Sequence, residues 1–352
     1  MKIIVLAGGL STERDVSLNS GAGICRTLRE RGHQAILLDV FLGLPNAPEN
    51  LEDVFNMEDG NLSIVKNGIQ TSEPDLEAIK AQREDKSDCF LGPNVIELCR
   101  MADICFLGLH GGVGEDGRLQ AAFDILGIKY TGPSSLGNAL AMDKSITKQI
   151  FLENHIPTPA GTWLYKKSKD KPLSEFGLSL PVVVKPCAGG SSIGVYICHT
   201  EEEYRTALDE SFRYDDCLII EQYIKGREFA CGIIDGKALP VIEVIPKSGF
   251  FDYANKYQAD ATEEICPADL PEEVSQQMQK ATERAFRALK LSVYSRADFL
   301  LDAEGNIYCL EVNTLPGMTA ASLLPKEAAA AGIPYGDLCE LIIEKSLDAR
   351  YR

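Results

Sequence analysis

The sequence predicts an α/β protein with largely parallel strands, and three observations support this class. Apolar runs of strand length alternate with amphipathic segments of helix length along most of the chain, as in proteins whose strands are joined by crossover helices. The chain opens on a strand, a helix and a second strand, the βαβ unit of a parallel sheet. Its 352 residues, 45% of them hydrophobic, allow a large core and favour two or three domains that share a cleft.

Charge and cysteine content restrict the partners and the compartment. A formal net charge of −17 and a pI near 4.8 argue against nucleic acid or an anionic membrane as a partner, because both need a positive surface. Nowhere do about 18 apolar residues run together, so no membrane-spanning helix is expected. The 11 cysteines are odd in number and form no CxxC pair, which favours reduced thiols in a cytoplasmic protein.

The first predicted domain, residues 1–135, contains the opening βαβ unit. In it, "KIIVLAGG" is a buried strand ending in glycines, "SLNSGAGICRTLRERG" is an amphipathic helix and "QAILLDV" is the next strand. Residues 44–95 are rich in Asn, Asp, Glu and Gly and are predicted to form a surface excursion. The segments "DICFLGLHG" and "KYTGP" resume the sheet, and the domain ends near "YTGPSS".

Two further domains are predicted, at 136–217 and 218–352. In the first of these, "SLGNALAMDKSITKQIFLENHI" has the pattern of a helix pair, and "PVVVKPCAGGSSIGVYICH" that of a hairpin. In the second, strands surround the amphipathic helix "EVSQQMQKATERAFRALKL", and "RADFLLDAEGNIYCLEVN" reads as two strands joined by a turn.

The turn "AGGSSIG" beside Lys185 is a candidate for phosphate binding. Glycine and serine leave backbone N–H groups accessible, and such groups bind phosphate oxygens well, so the turn suits a flap over a triphosphate. A flexible hairpin turn without a ligand explains the same residues. The chain has neither the GxxxxGK[ST] spacing of a Walker loop nor, at its N-terminal glycines, a GxGxxG motif, which disfavours a standard dinucleotide fold.

A second candidate site lies on the strand pair around residues 296–313. Asp298 and Glu311 interrupt apolar strands, where acids are rare unless they are paired or bind metal. Asn313 follows Glu311 by two residues and shares its face, which gives three oxygen ligands of the kind that Mg²⁺ prefers. An ion pair from either acid to Arg296 is the alternative, but three such ligands on one face exceed what one arginine needs.

These motifs together resemble the ATP-grasp ligases, and among them the D-alanine–D-alanine ligase family. Six segments occur in that family's order: "GGLSTERDVSLNSG", "LHGGVGEDGRLQ", "YTGPSSLGNALAMDKSITK", "KPCAGGSSIGV", "FFDYANKYQAD" and "EVNTLPGMT". The resemblance covers nearly the whole chain except residues 44–95. It implies an ATP-grasp fold with an N-terminal Rossmann-like (preATP-grasp) parallel-sheet domain.

The resemblance also implies a nucleotide site. Lys148 and Lys185 would contact the phosphates of ATP, and Glu221 and Glu228 would hold adenine and ribose, although a solvated strand edge is the alternative for these acids. The remaining implied ligands are Ser192 and Lys256 for ATP, and Asp298, Glu311 and Asn313 for two Mg²⁺ or Mn²⁺ ions.

For the amino-acid site, the resemblance assigns Glu13 to the ammonium of the first D-alanine, with Ser191 and Tyr257 connecting it to a lid. Glu13 alone also suits a helix N-terminal charge. Arg296 and the backbone N–H of Gly317 would stabilise the developing oxyanion. The remaining implied residues are Ser322 and Leu323, for the second carboxylate at a helix N-terminus, and His110, a supporting residue that by itself is as well explained by a structural role.

The implied reaction is ATP-dependent formation of D-alanyl-D-alanine through an acyl phosphate, for peptidoglycan precursors, by a homodimer. The pair Lys256 and Tyr257 matches the dipeptide-forming members. Ala321 replaces a histidine that many members carry, so D-alanine–D-serine ligation is the alternative. Another ATP-grasp carboxylate–amine ligase, or a silent nucleotide-binding regulator, also remains open; the second would be expected to lose Arg296 or a metal ligand, which this chain keeps.

Overall fold

Three β-sheets organise the described parts of the chain, one parallel and two antiparallel. The computed structural model describes residues 1–65, 74–169, 171–190, 193–246 and 262–351. Parallel pairing is confined to the first sheet, so the expectation of largely parallel strands is wrong for the other two. Several neighbouring strands in those sheets follow one another through short turns, and such hairpin connections make strands antiparallel.

The parallel sheet is the predicted N-terminal unit. It consists of β1 (Lys2–Ala7), α1 (Arg14–Glu30), β2 (Gln34–Asp39) and β3 (Ile104–Leu107). Strand β1 lies in the centre and runs parallel to both neighbours. Residues 3–7 are fully buried, which explains their continuous apolar sequence, since a central parallel strand is covered on both faces. The βαβ prediction is confirmed.

Part of the predicted surface excursion belongs to the N-terminal core. The described portion of residues 44–95 holds the 3-10 helices Leu51–Asn56 and Leu62–Ile64, and α2 (Leu76–Ala81). Val54 and Phe55 are buried in the same core as the parallel sheet, so the prediction is wrong at this point. Two apolar residues in a polar stretch give no periodic pattern from which burial could be read.

Short helices complete this domain: α3 (Val95–Met101), α4 (Gly112–Glu115) and α5 (Arg118–Leu126). The segment "KYTGP", expected to resume the sheet, contributes a single bridge between Cys105 and Tyr130. None of the helices in the described ranges is long and apolar enough to cross a membrane.

The predicted helix pair is confirmed as α6 (Ser135–Met142) and α7 (Lys144–Glu153). Asp143 separates the two helices, and its Oδ1 accepts hydrogen bonds from the backbone N–H groups of Ser145 and Ile146 at 2.9 and 3.2 Å. This N-cap satisfies two donors that the first turn leaves open. It starts α7 so that Lys144 and Lys148, four residues apart, share one face.

The second sheet has the spatial order β4 (Gly161–Tyr165), β7 (Cys217–Gln222), β5 (Val182–Pro186), β6 (Tyr196–Cys198). Strands β5 and β6 form the predicted hairpin. Strand β7 pairs with β4 and β5, so this sheet continues past the boundary that we placed at residue 217. The remaining elements here are α8 (Glu201–Ser211) and the 3-10 helices Lys166–Ser168 and Leu173–Phe176.

The third sheet forms the floor of the cleft. Its strands, in chain order, are β8 (Gly226–Ile234), β9 (Lys237–Ala238), β10 (Ile242–Pro246), β11 (Thr262–Ile265), β12 (Tyr294–Asp302) and β13 (Ile307–Asn313). The spatial order is β11, β10, β8, β12, β13, with β9 beside β8. The predicted strand pair of residues 296–313 is the hairpin of β12 and β13.

Helices cover both faces of this sheet. The predicted helix is confirmed as α9 (Glu272–Ala288), which packs on Ala297 and Phe299 of β12. Because side chains alternate along a strand, Arg296 and Asp298 point to the opposite face, where the cleft lies. The last helices are α10 (Leu323–Ala330), on the cleft side, and α11 (Tyr335–Arg350).

Candidate active site

A cleft lies between the two antiparallel sheets and collects the predicted nucleotide and metal residues. It is lined by Lys185 from β5, Glu228 from β8, Asp298 from β12 and Glu311 from β13. These residues are distant in sequence and come together because each sheet turns one face toward the other. The structure therefore unites the two motifs on which the sequence analysis depended.

One end of the cleft is a largely apolar slot beside the connection from β7 to β8. Val183, Ile197 and Leu300 line it together with Glu221 and residues 222–226. Apolar walls with a few polar groups at one edge suit a flat aromatic ring. Glu228 also borders this slot, at the position where the sequence analysis expected an adenosine contact.

Glu221 joins both predicted phosphate-binding lysines. Its side chain is 3% exposed, with Oε1 2.5 Å from the Nζ of Lys185 and Oε2 3.0 Å from the Nζ of Lys148. Burial raises the pKa of Glu221, but the two ammonium groups lower it more, so the pKa lies below its usual range. Burial is also the main reason that the pKa of Lys148 is lowered. The solvated strand edge considered for Glu221 is wrong.

Removing this buried carboxylate should destabilise the protein when no ligand is present. Glu221→Gln leaves two buried ammonium groups without a counter-charge, and breaking such a pair costs about 3–5 kcal/mol. The free energy of unfolding in urea, measured without nucleotide, tests this. Glu210→Gln removes a half-exposed partner of the exposed Arg213 and should cost less than about 1 kcal/mol. Equal stability of the two variants would contradict the electrostatic role of Glu221.

The strands β12 and β13 place the predicted metal ligands side by side. Asp298 lies directly opposite Glu311, and Arg296 opposite Asn313. The Nε and Nη2 atoms of Arg296 donate to the two oxygens of Asp298 at 2.7 and 2.9 Å. Burial lowers the pKa of Arg296, but Asp298 outweighs it and raises the pKa above its usual value. The ion pair between Arg296 and Asp298, which the sequence analysis considered as the alternative to metal binding, is therefore present. It belongs to the same cluster as the other predicted metal ligands.

This cluster contains two carboxylates and an amide. Asn313 donates its Nδ2 to Asp298 Oδ2 at 2.9 Å. Among the described residues, no group of three His, Cys, Asp or Glu side chains is placed to hold a metal ion, because the third donor of the predicted set is an asparagine. The metal assignment stays a prediction.

Lys144 belongs to the site, and the sequence analysis missed it. Its Nζ lies 3.1 Å from Glu311 Oε2 and donates to the carbonyl of Gly189 at 2.7 Å. Burial lowers the pKa of Lys144, while Glu311 and other acids more than offset this and raise it. The lysine thus connects the acidic strand to the glycine-rich turn. Its i, i+4 spacing from Lys148 was the available signal.

At the other end of the cleft, Glu13 lies where α1 begins, without capping the helix through its side chain. A Cβ added at Gly111 would lie 2.7 Å from Glu13 Oε2, and one at Gly190 would lie 3.0 Å away. The β5–β6 turn therefore reaches the carboxylate of the N-terminal domain. This contact favours a role for Glu13 in a site between the two regions over the alternative, a charge that only stabilises the helix N-terminus.

His110 connects the N-terminal domain to the segment after β13. Its Nδ1 lies 2.8 Å from the Leu315 carbonyl oxygen, and its Nε2 lies 3.1 Å from Ser20 Oγ. Burial lowers the pKa of the imidazole. In the described residues both ring nitrogens have protein partners, so the structure favours the structural role considered for this residue over direct substrate contact.

Glu115 is a second residue that the sequence analysis missed. Its buried carboxylate accepts hydrogen bonds from the backbone N–H groups of Gly111, Thr314 and Leu315, each at 3.0 Å. Burial, with a further contribution from the charge of Glu13, raises its pKa to about 7. Glu115 thereby fixes the segment that leads to Gly317.

Gly317 and Ser322 lie against each other beside the start of α10. A Cβ at Gly317 would lie 2.9 Å from Ser322 Oγ, and this oxygen accepts a hydrogen bond from Thr319 N at 3.1 Å. Ser322 occupies the N-cap position without capping through its side chain, and Leu323 borders the cleft. The first N–H groups of α10 can therefore receive an anionic ligand.

Four predicted site residues lie outside the described residues, so their roles stay predictions: Ser191, Ser192, Lys256 and Tyr257.

Two antiparallel sheets that enclose a lysine- and carboxylate-lined cleft, preceded by a parallel-sheet domain, define an ATP-grasp protein. Family models described as D-ala D-ala ligase N-terminus and C-terminus match residues 2–133 and 154–344. The chain belongs to the D-alanine–D-alanine ligase family.

Individual relatives agree with this family over nearly the whole chain. A D-alanine–D-alanine ligase from Pediococcus pentosaceus is 42% identical over 345 residues, 97% of each chain. The ATP complex of the Bacillus anthracis enzyme is 34% identical, with a TM-score of 0.76 and coverage of 99% and 98%. A D-Ala:D-Ser ligase from Enterococcus faecalis is 26% identical, with a TM-score of 0.75 and coverage of 98% and 99%.

Proposed function

We propose that this protein joins two molecules of D-alanine to form D-alanyl-D-alanine for peptidoglycan precursors, with ATP converted to ADP and phosphate. The observation that carries the proposal is a single cleft lined by Lys185, Asp298 and Glu311, in a chain of this family. Higher identity to the D-alanine–D-alanine ligase than to the D-Ala:D-Ser ligase favours D-alanine as the second substrate.

In this proposal ATP occupies the cleft with its base in the apolar slot. Glu228, beside the slot, accepts hydrogen bonds from the ribose hydroxyls, and the backbone of residues 222–226 meets the adenine edge. Lys148 and Lys185 contact the phosphates and lose part of their interaction with Glu221. The phosphates can replace Glu221 as partners because they too are negatively charged. Ser192 and Lys256 complete the nucleotide contacts.

Two Mg²⁺ or Mn²⁺ ions belong to the proposed site. The contiguous set of Asp298, Glu311 and Asn313 offers hard oxygen donors and leaves coordination positions for phosphates, which suits these metals. When bound, the ions supply positive charge to the phosphate oxygens. Lys144, 3.1 Å from Glu311, offers a further positive charge at the same edge.

The first D-alanine binds with its ammonium at Glu13 and its carboxylate toward Arg296. One carboxylate oxygen attacks the γ-phosphorus of ATP, the bond to the β-phosphate oxygen breaks, and an acyl phosphate and ADP form. Asp298 holds the Arg296 guanidinium in a fixed orientation through two hydrogen bonds. Arg296 therefore faces the developing charge without having to reorient.

The second D-alanine binds with its carboxylate at the start of α10, near Ser322 and Leu323. Its neutral amine attacks the acyl phosphate carbonyl, and Arg296 and the N–H of Gly317 stabilise the oxyanion. The peptide bond forms as the carbonyl carbon–oxygen bond to phosphate breaks, and the departing phosphate takes up the proton that the amine loses. The β5–β6 turn, which reaches Glu13 through Gly190, helps to keep water from the acyl phosphate. Ser191 and Tyr257 join the lid to Glu13. The working unit in this proposal is a cytoplasmic homodimer.

Substrate competition tests the proposal. The protein is incubated with ATP, Mg²⁺ and equal concentrations of D-alanine, D-serine and D-lactate near neutral pH, and the products are resolved by mass. Phosphate release is measured in parallel with and without D-alanine. We expect D-alanyl-D-alanine as the main product and phosphate release that depends on D-alanine. Mainly D-alanyl-D-serine would move the specificity to the pocket near Ala321. Phosphate release independent of D-alanine would favour another ligase, and no release would favour a silent regulator.

A further inference from the structure

Glu327 carries a fully buried carboxyl group in α10. Its exposed fraction is 0%. The Oε1 atom accepts a hydrogen bond from the backbone N–H of Gly232 at 2.8 Å, while Oε2 is buried without a hydrogen-bond partner in the described part of the chain. A buried polar atom without a partner is rare enough to require an explanation.

The hydrogen bond to Gly232 has a structural reason. Strand β10 pairs with β8 as far as Ala230, so the N–H of Gly232 lies beyond the end of that pairing. Glu327 supplies the missing acceptor. One oxygen is enough for this role, however, and the buried position of the second oxygen is left unexplained.

The second oxygen, Oε2 of Glu327, lies close to Arg296. Gly232 lies directly opposite Arg296 in the pairing of β8 with β12. A Cβ at Gly232 would lie 2.8 Å from Glu327 Oε2 and 2.5 Å from Leu324 Cδ1. Since directly opposed Cβ positions are about 4.5–5.5 Å apart, the carboxyl group lies next to the base of the Arg296 side chain, on the cleft face.

Burial raises the pKa of Glu327 to about 8, with Arg296 and the Gly232 hydrogen bond opposing the shift. The raised pKa favours the neutral acid over the carboxylate. Four other charged or titratable groups interact electrostatically with Glu327: Arg296 and Asp298 on β12, Cys231 on β8, and Cys266. A neutral group beside Arg296 adds no second negative charge to the one that Asp298 already supplies.

The same helix begins at the proposed second-substrate site. Ser322 and Leu323 lie one turn before Glu327, which ties this turn to the sheet beside Arg296. We propose that Glu327 is a positioning residue for the second substrate, holding the N-terminal turn of α10 at a fixed distance from Arg296. This inference rests on the proposed function and adds a residue to it.

Steady-state kinetics of three variants test the inference. Glu327→Ala removes the acceptor and opens space, so the KM for the second D-alanine should rise about 10-fold, while the KM values for ATP and the first D-alanine stay within about 2-fold. Glu327→Gln is neutral, has the same shape and keeps the acceptor, so it should stay within about 3-fold of wild type in every constant. Glu344→Ala, an exposed carboxylate on α11, is the control.

Two outcomes overturn the inference while leaving the proposed function intact. One is a Glu327→Gln variant as impaired as Glu327→Ala, which would show that negative charge is required. The other is a Glu327→Ala variant in which all KM values change in parallel with the melting temperature, as expected for a general loss of stability. If Glu327→Ala does not fold, Glu327→Asp, which is one methylene too short to reach Gly232, provides the same comparison. A wild-type protein that makes no dipeptide overturns both proposals.

Discussion

Replacing Glu311 with glutamine should lower the rate of ATP-dependent dipeptide synthesis about 1,000-fold. In the proposed site Glu311 would be a direct ligand of a metal ion. Glutamine lacks the negative charge, and a loss of about 4 kcal/mol of charge stabilisation in the transition state corresponds to a 1,000-fold lower rate. The fold should persist, because Glu311 lies at the cleft rather than in the core. Phosphate release, measured at increasing Mg²⁺ concentration, provides the test.

Glu304→Gln is the matched control, since Glu304 lies exposed in the turn of the same hairpin. It should have wild-type activity. Glu311→Gln could also lose activity because its ion pair with Lys144 is broken. The variant Lys144→Met breaks the same ion pair and so separates this explanation from metal binding. If only that contact matters, the two variants lose activity equally and have the same Mg²⁺ dependence. Near wild-type phosphate release by Glu311→Gln at saturating Mg²⁺ would contradict the metal assignment.

Arg296→Lys should lower kcat by about 10²–10³-fold, the range found when one donor to a developing oxyanion is removed. Lysine keeps the positive charge but lacks the planar fork that binds both oxygens of Asp298. The ammonium group is consequently not held in the required direction. We expect the KM for ATP to change little, because the adenosine slot and the lysines around Glu221 are untouched.

The control for this substitution is Arg284→Lys, on the exposed side of α9. Initial rates of ADP formation and of dipeptide formation are measured for both variants. A kcat within a few-fold of wild type for Arg296→Lys would show that charge alone suffices. A large rise in the KM for ATP with an unchanged kcat would place Arg296 in nucleotide binding instead.

Local pattern was sufficient for the elements that carry the site. Two apolar strands joined by the turn "DAEGN" identified the β12–β13 hairpin, and two-residue spacing put Arg296 and Asp298 on one face. The βαβ opening was equally readable, because a buried parallel strand is continuously apolar. The assignment of function from the sequence depended on the order of six motifs more than on any one of them.

The residues that sequence reasoning missed depend on long-range contacts. Lys144 meets Glu311 and Gly189 only because the helix pair packs between two sheets. Glu115 contacts backbone almost 200 positions later in the chain. Glu327 lies in an alanine-rich helix whose sequence gives no indication of a buried acid. Such partners are set by tertiary packing, which neither propensity nor spacing encodes.

Isotope transfer tests the central claim that the carboxylate of one D-alanine is phosphorylated in this cleft. The protein is supplied with ATP, Mg²⁺ and D-alanine that carries ¹⁸O in both carboxylate oxygens, and the released phosphate is analysed by mass. Attack of the carboxylate on the γ-phosphorus, followed by attack of the amine on the carbonyl carbon, predicts one ¹⁸O in each phosphate molecule formed with dipeptide. Labelled dipeptide accompanied by phosphate without ¹⁸O would contradict the acyl phosphate route and the roles assigned to Arg296 and Glu311.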